Sequence, residues 1–149
     1  MKTAALLSFV KKVEYAYAKF SKPLLEAFDL PQVSFDILMF LANNPEFRTA
    51  QEICENRHIK KNLVSVHVEK LVSAGYLTRG PVEGDRRKIG LTCTQKAQPI
   101  IDAGLQMQKR FIEDLTSGIT EDDWKIYKSV FDTIEANAKA MVYSEEKRK

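Results

Sequence analysis

Residues 49–94, TAQEICENRHIKKNLVSVHVEKLVSAGYLTRGPVEGDRRKIGLTCT, decide the fold. Thr49 with Glu52 three residues on is a capping box, in which each side chain satisfies the other residue's free backbone N–H, so a short helix opens at Ala50. A second helix is expected over about residues 60–74, stopping at Gly75, which takes the left-handed conformation without steric cost. Tyr76-Leu77-Thr78-Arg79 and Lys88-Ile89-Gly90-Leu91-Thr92 alternate as strands do. Between them, residues 80–87 hold Gly80, Pro81 and Gly84 as turn formers and two adjacent arginines. A helix pair followed by a basic hairpin is the layout of a winged helix-turn-helix.

The run Val64-Ser65-Val66-His67-Val68-Glu69-Lys70-Leu71, then Gly75-Tyr76-Leu77, Asp85-Arg86-Arg87 and Leu91-Thr92-x-Thr94-x-Lys96 resembles the MarR family of bacterial transcription regulators. The motifs cover about residues 30–97, and Asp-Arg-Arg followed by a strand and Leu-Thr is the most specific of them. The chain departs from the family pattern at Val66, where arginine is usual, and at residues 56–58 and Ala97, where glycine is frequent. The resemblance implies a mainly α, winged helix-turn-helix protein of about six helices with a two- to three-stranded wing sheet. It implies one domain over residues 1–149, with a DNA-binding lobe at about 30–97 and a helical dimerisation region at about 1–28 and 98–143.

The flanking segments read as helices. Leu6, Val10, Val13, Tyr17, Phe20 and Leu24 recur at steps of four and three, one stripe on a long first helix that Pro23 should kink or end. A stripe that narrow suits packing between chains and also suits an internal core. Residues 31–42 form a second, largely apolar helix, closed by Asn43-Asn44-Pro45. Thr94 is expected to cap a fifth helix with Ile100, Ile101, Leu105, Phe111, Ile112 and Leu115 on its apolar face. After Gly118, Thr120 with Asp123 opens a sixth, lined by Trp124, Tyr127, Val130, Phe131, Ile134, Ala138 and Met141. Residues 144–149 read as a frayed, charged tail.

Charge narrows the function. From Arg57 to Gly90, eight cations (Arg57, Lys60, Lys61, Lys70, Arg79, Arg86, Arg87, Lys88) face three acids (Glu69, Glu83, Asp85), a surplus of five where the whole chain carries +3. The positive field belongs to the helix pair and wing, the footprint of a nucleic-acid binder. Two cysteines make no disulfide framework, and no apolar run approaches the roughly 20 residues that span a bilayer, so a cytoplasmic location is expected. No enzyme is indicated. Cys54 and His58 are four apart, but Cys54 falls on the packed side of its helix, and the sequence carries no phosphate loop, nucleophile elbow or zinc spacing. No metal and no cofactor is implied.

At about 100° per residue, Val64, Val68, Leu71 and Val72 share the inner face of the second motif helix, while Asn62 and Val66 point the opposite way. DNA-reading helices present their N-terminal residues to base edges. That selects Asn62 and Val66 as base readers, with Lys60, Lys61 and Ser65 on phosphates; Val66 offers only methyls, which suits the C5-methyl of thymine. Lysines at a helix N-terminus oppose its dipole, a local cost of roughly 0.3–1 kcal/mol each that a phosphate would remove. In the wing, Asp85 can hold one guanidinium and leave the other for a minor groove. The resemblance implies Arg87 in the groove and Arg86 on a phosphate. It also implies a homodimer on double-stranded DNA, a repressor responsive to a small aromatic effector bound between dimer helices and winged lobe. Tyr15, Tyr17 and Phe20 could line that cleft; they are equally suited to a core. The alternative is a winged helix used for protein docking, with DNA binding lost.

Overall fold

The computed structural model describes residues 3–82 and 84–146, and the side chains of all of these except Arg86 and residues 143–146. Six helices and one two-stranded antiparallel sheet follow in the order α1 (Thr3–Phe28), α2 (Gln32–Asn43), α3 (Ala50–Arg57), α4 (Lys61–Ser73), β1 (Leu77–Val82), β2 (Asp85–Cys93), a 3-10 turn (Gln95–Ala97), α5 (Gln98–Leu115) and α6 (Glu121–Glu146). The chain divides into two compact units, Met1–Phe111 and Ile112–Lys149.

The first unit is built around α2. Phe35, Ile37 and Leu38 are fully buried, and Ile53, Val64, Leu71, Leu77 and Ile100 close on them from α3, α4, β1 and α5. The α3 cap forms as the sequence requires: Thr49 Oγ1 accepts the Glu52 N–H (3.2 Å) and Glu52 Oε2 accepts the Thr49 N–H (2.8 Å). Gly75 takes φ 78° and ends the α4 segment.

Three local expectations give way to packing. Pro23 does not end α1, which runs on to Phe28 because Leu24, Leu25 and Phe28 beyond it pack on the core. That packing outweighs the hydrogen bond a helical proline forfeits. The hairpin loop is shorter than its turn formers suggest. Gly80 and Pro81 lie within β1, opposite Gly90 and Ile89, and the chain reverses beside Gly84 at φ 82°. A two-stranded ribbon tolerates proline because its outer edge needs no donor. The Leu91 N–H is taken by the Arg48 carbonyl (2.7 Å), a single bridge on the other side of β2.

Thr94 does not cap α5. A 3-10 turn intervenes, and the Thr94 hydroxyl donates to the Gly75 carbonyl (2.7 Å), with the Tyr76 carbonyl at 3.3 Å. The first-helix stripe also divides. Val13, Tyr17 and Leu24 pack on the core of their own chain, whereas Val10 of the stripe stays exposed, as do Leu7 and Phe9 beside it. In the second unit, Thr120 Oγ1 accepts the Asp123 N–H (3.2 Å) at the start of α6. Trp124 stacks on Tyr127 and Tyr127 meets Phe131 at a tilt, with ring centroids 5.2 and 5.7 Å apart. The tail segment is helical through Glu146; residues 147–149 lie outside the described residues.

Gly104 on α5 lies directly against α2. A Cβ there would overlap Met39 Sδ and lie 3.0 Å from Phe35 Cε2. Gly104→Ala is therefore expected to lower stability by about 1–3 kcal/mol, the usual cost of overpacking. Urea unfolding of the single variants and of Gly104→Ala with Met39→Ala checks the cause. The pair should cost less than the sum of its parts, because shortening Met39 clears the overlap.

Candidate nucleic-acid interface

The turn between α3 and α4 sets the angle of the second helix. His58 adopts φ 50°, ψ 33°, so it supplies the left-handed turn residue for which glycine is the easier choice. Ile53 on α3 and Val64, Val68 and Leu71 on α4 are buried, which fixes both helices about one core. The opposite face of α4 is open: Val66 is 51% exposed, and Lys60, Lys61, Asn62 and Ser65 are exposed around it.

The expected contact residues do not all face alike. Lys60 is the N-cap residue of α4 and makes no side-chain cap, and Lys61 is the first helical residue. Lys61 and Ser65 line a groove of about 590 Å³ between α3, α4 and the hairpin, together with Cys54, Arg79 and Ile89. Asn62 and Val66 stand on the outward face. Asn62 Oδ1 accepts the N–H of Leu63 (2.9 Å), which also reaches the Lys60 carbonyl (2.9 Å).

In the wing, Arg87 is exposed, and its backbone N–H donates to Asp85 Oδ1 (3.1 Å). Asp85 thus shapes the strand entry through a backbone bond. The Arg86 side chain, and any pairing of Asp85 with it, lie outside the described residues.

The three candidate effector aromatics separate. Tyr17 and Phe20 both meet Phe111 edge-on, at 5.3 and 5.6 Å between centroids. The Tyr17 hydroxyl accepts from Gln108 (2.9 Å), and burial raises its pKa. Tyr15 points elsewhere, 64% exposed with the Lys19 ammonium 5.1 Å from its ring centre. Deeper in, Ser21 donates to Gln32 Oε1 and Gln32 donates to Asp36 Oδ1, both at 2.9 Å, a polar chain that joins α1 to α2. Burial raises the Asp36 pKa against that hydrogen bond.

Three supports of α4 escape a reading by pattern. Glu69 pairs with Arg79 across to β1 (2.8 Å). Lys96 donates to the Ala74 carbonyl (2.7 Å), with its ammonium 4.9 Å from the Tyr76 ring centre. With Thr94 on Gly75, this gives the Thr-x-Lys motif a role: a cation and a hydroxyl satisfy free carbonyls at the helix end. The third support is buried, His67 Nδ1 against Ser34 Oγ at 2.9 Å. Each partner is distant in sequence, so only the charge of Arg79 and Lys96 was visible beforehand. Among the described residues, no three His, Cys, Asp or Glu side chains gather as metal ligands, and no helix is long and apolar enough to cross a membrane.

This geometry agrees with the comparisons. Residues 28–88 match the MarR family, from the end of α1 to the middle of β2, so the part of the chain that holds the helix pair and most of the wing is similar to that family. A comparison with curated protein sequences finds no match. Among solved structures, a MarR protein from Peptoclostridium difficile superposes with TM-score 0.77 at 18% identity, over 95% of this chain and 92% of that one. A MarR regulator from Methanosarcina mazei Go1 gives 0.75 at 18%, over 94% of each chain. A structure described as a transcriptional regulator gives 0.80 at 22%, over 93% of this chain and 99% of the other. At such identities these likenesses concern the fold.

Burial pushes the His67 imidazole below the usual histidine value, and Lys70 adds to the shift. The unfolded chain, titrating near about 6.5, then takes up the proton first as pH falls. Stability is full above the unfolded value and declines as pH drops toward the lower folded one. Melting temperature should therefore fall more for the wild type than for His67→Gln between about pH 7.5 and about pH 5.5. Equal declines would mean that folding does not lower the His67 pKa. Asp36, shifted upward, works in the opposite direction and is common to both proteins.

Proposed function

We propose that this protein is a homodimeric, sequence-specific transcription regulator that represses by binding duplex DNA and is released by a small-molecule effector. The observation that carries the DNA reading is the start of α4. Two exposed lysines stand there against the helix dipole with no cap, beside an outward face that ends in Asn62 and Val66. Phosphates at that helix end would turn the local penalty into charge-assisted hydrogen bonds. Lys60, Lys61 and Ser65 are then phosphate contacts, Asn62 and Val66 read bases, and Arg86 and Arg87 engage the backbone and minor groove through the wing.

The dimer reading rests on apolar surface with no occupant in the single chain. Leu7 is 61% and Phe9 58% exposed on α1, and Ile126 is 65% exposed among the apolar side chains of α6. Two copies would set their recognition helices about 34–36 Å apart, one turn of B-DNA. An effector acts by stabilising another spacing, and so lowers DNA affinity by population shift. Tyr17 and Phe20 are committed to Phe111, so an effector in the cleft between dimer helices and winged lobe would meet them as part of a packed wall.

Sedimentation at micromolar concentration should give a dimer; a folded monomer there removes the symmetric-operator mechanism. The DNA reading is tested by mobility shift on duplexes of random sequence at two salt concentrations. Lys61→Ala should weaken specific and non-specific DNA alike and lower the salt slope by about one unit per subunit. Arg87→Ala should cost more on sites with A·T-rich flanks than with G·C-rich flanks, by about 1 kcal/mol, because narrow minor grooves hold guanidinium best. Both folds should survive, as circular dichroism can check. If neither change affects binding, α4 and the wing do not touch DNA, and protein docking becomes the better reading.

A further inference from the structure

We infer that α4 reads one thymine in each half-site with two side chains at once, Asn62 Nδ2 on O4 and the Val66 methyls on the C5-methyl. The inference rests on the placement of α4 in the major groove given under the proposed function.

The direction of the Asn62 amide is decided by its neighbour. A backbone N–H can only donate, so the group 2.9 Å from the Leu63 nitrogen is the carboxamide oxygen. That leaves the NH2 turned away from the backbone, toward the exposed side. Adenine is read by asparagine through a donor and an acceptor together, N7 and the N6 amino group. With Oδ1 facing the helix, Asn62 offers donors alone. It therefore suits lone acceptors: guanine N7 and O6, adenine N7, or thymine O4.

Val66 separates these bases. It stands one helical turn after Asn62 on the same face, where Cβ atoms are about 5–6 Å apart. It is 51% exposed and has no hydrogen-bonding atom. Guanine, cytosine and adenine carry no methyl of their own in the major groove. Thymine carries an acceptor and a methyl side by side on one base, so it alone answers both side chains. Glu69, an acceptor on the same side of the helix that would favour cytosine's amino group, is held by Arg79 at 2.8 Å.

The test starts from a duplex selected out of random DNA by the intact protein. Each thymine in the half-site is replaced in turn by uracil, which removes the methyl and keeps O4. It is then replaced by 5-methylcytosine paired with guanine, which keeps the methyl and puts an amino donor where O4 was. At one position, uracil should weaken the wild type about four-fold per half-site, the value of one methyl group removed from water. At the same position, 5-methylcytosine should weaken it on the order of ten-fold. Val66→Ala should lose the response to uracil and keep the response to 5-methylcytosine. Asn62→Asp exchanges the donor for an acceptor and should prefer 5-methylcytosine over thymine there. Its overall affinity will drop near phosphates, so the ratio between the two duplexes is what counts. An acid in the first turn favours the helix, so this variant should fold. A selected site whose thymines all tolerate uracil, or an Asn62→Asp protein that still prefers thymine, overturns the thymine contact and leaves DNA binding intact. Failure to select any sequence overturns both readings.

Discussion

Val64, Val68 and Leu71 turn one face of α4 into the core made by Phe35, Ile37, Leu38 and Ile53, and the interface is arranged by that burial. Each such side chain, moved from water into a packed interior, contributes about 1.5–3 kcal/mol. Together they fix the rotation of α4 about its own axis. Once the inner face is committed, the 3.6-residue period leaves Asn62 and Val66 no direction but outward. The capping box at Thr49 and the left-handed His58 set where α3 ends and how α4 starts, but they would orient nothing without that shared core.

The remaining supports of α4 differ in weight. The Glu69–Arg79 pair is largely exposed, and such pairs are commonly worth only about 0–1 kcal/mol. Its contribution is geometric: it ties the hairpin to the helix, so that the wing and the outward face of α4 keep one relation. The His67–Ser34 contact is buried and joins α4 to α2 directly. Losing one partner there would strand a polar group away from water, at about 1–3 kcal/mol. Thr94 and Lys96 close the far end of the segment by occupying the carbonyls of Gly75 and Ala74. Helix α4 is thus held at its inner face, at one flank and at its C-terminal end, and left open at its N-terminal half.

That open half is where ordinary stabilising rules are broken. Two lysines sit at the positive end of a helix dipole, the N-cap residue makes no cap, and a valine projects into solvent. Elsewhere the same chain caps its helices well, at Thr49 and Thr120. Rule-breaking concentrated on one surface, with sound construction around it, is the pattern expected where a partner supplies the missing interactions.

The sequence by itself determined the elements and their faces. The capping box, Gly75, the inner apolar face of α4 and the strand stretches at residues 77–79 and 88–92 all depend on neighbours within a few residues, so local chemistry specifies them. It also determined the surplus of positive charge around the helix pair and wing, because charge needs no partner to be counted. Tertiary structure alone decided the rest. Pro23 lies inside a continuous helix because contacts from α2 and the core reward its continuation. Thr94 turned from α5 to the end of α4, and His67 found Ser34 33 residues away. Tyr17 and Phe20 packed on Phe111 instead of standing beside Tyr15. Each of these outcomes rests on residues distant in sequence and brought together by burial, a choice that no local pattern encodes.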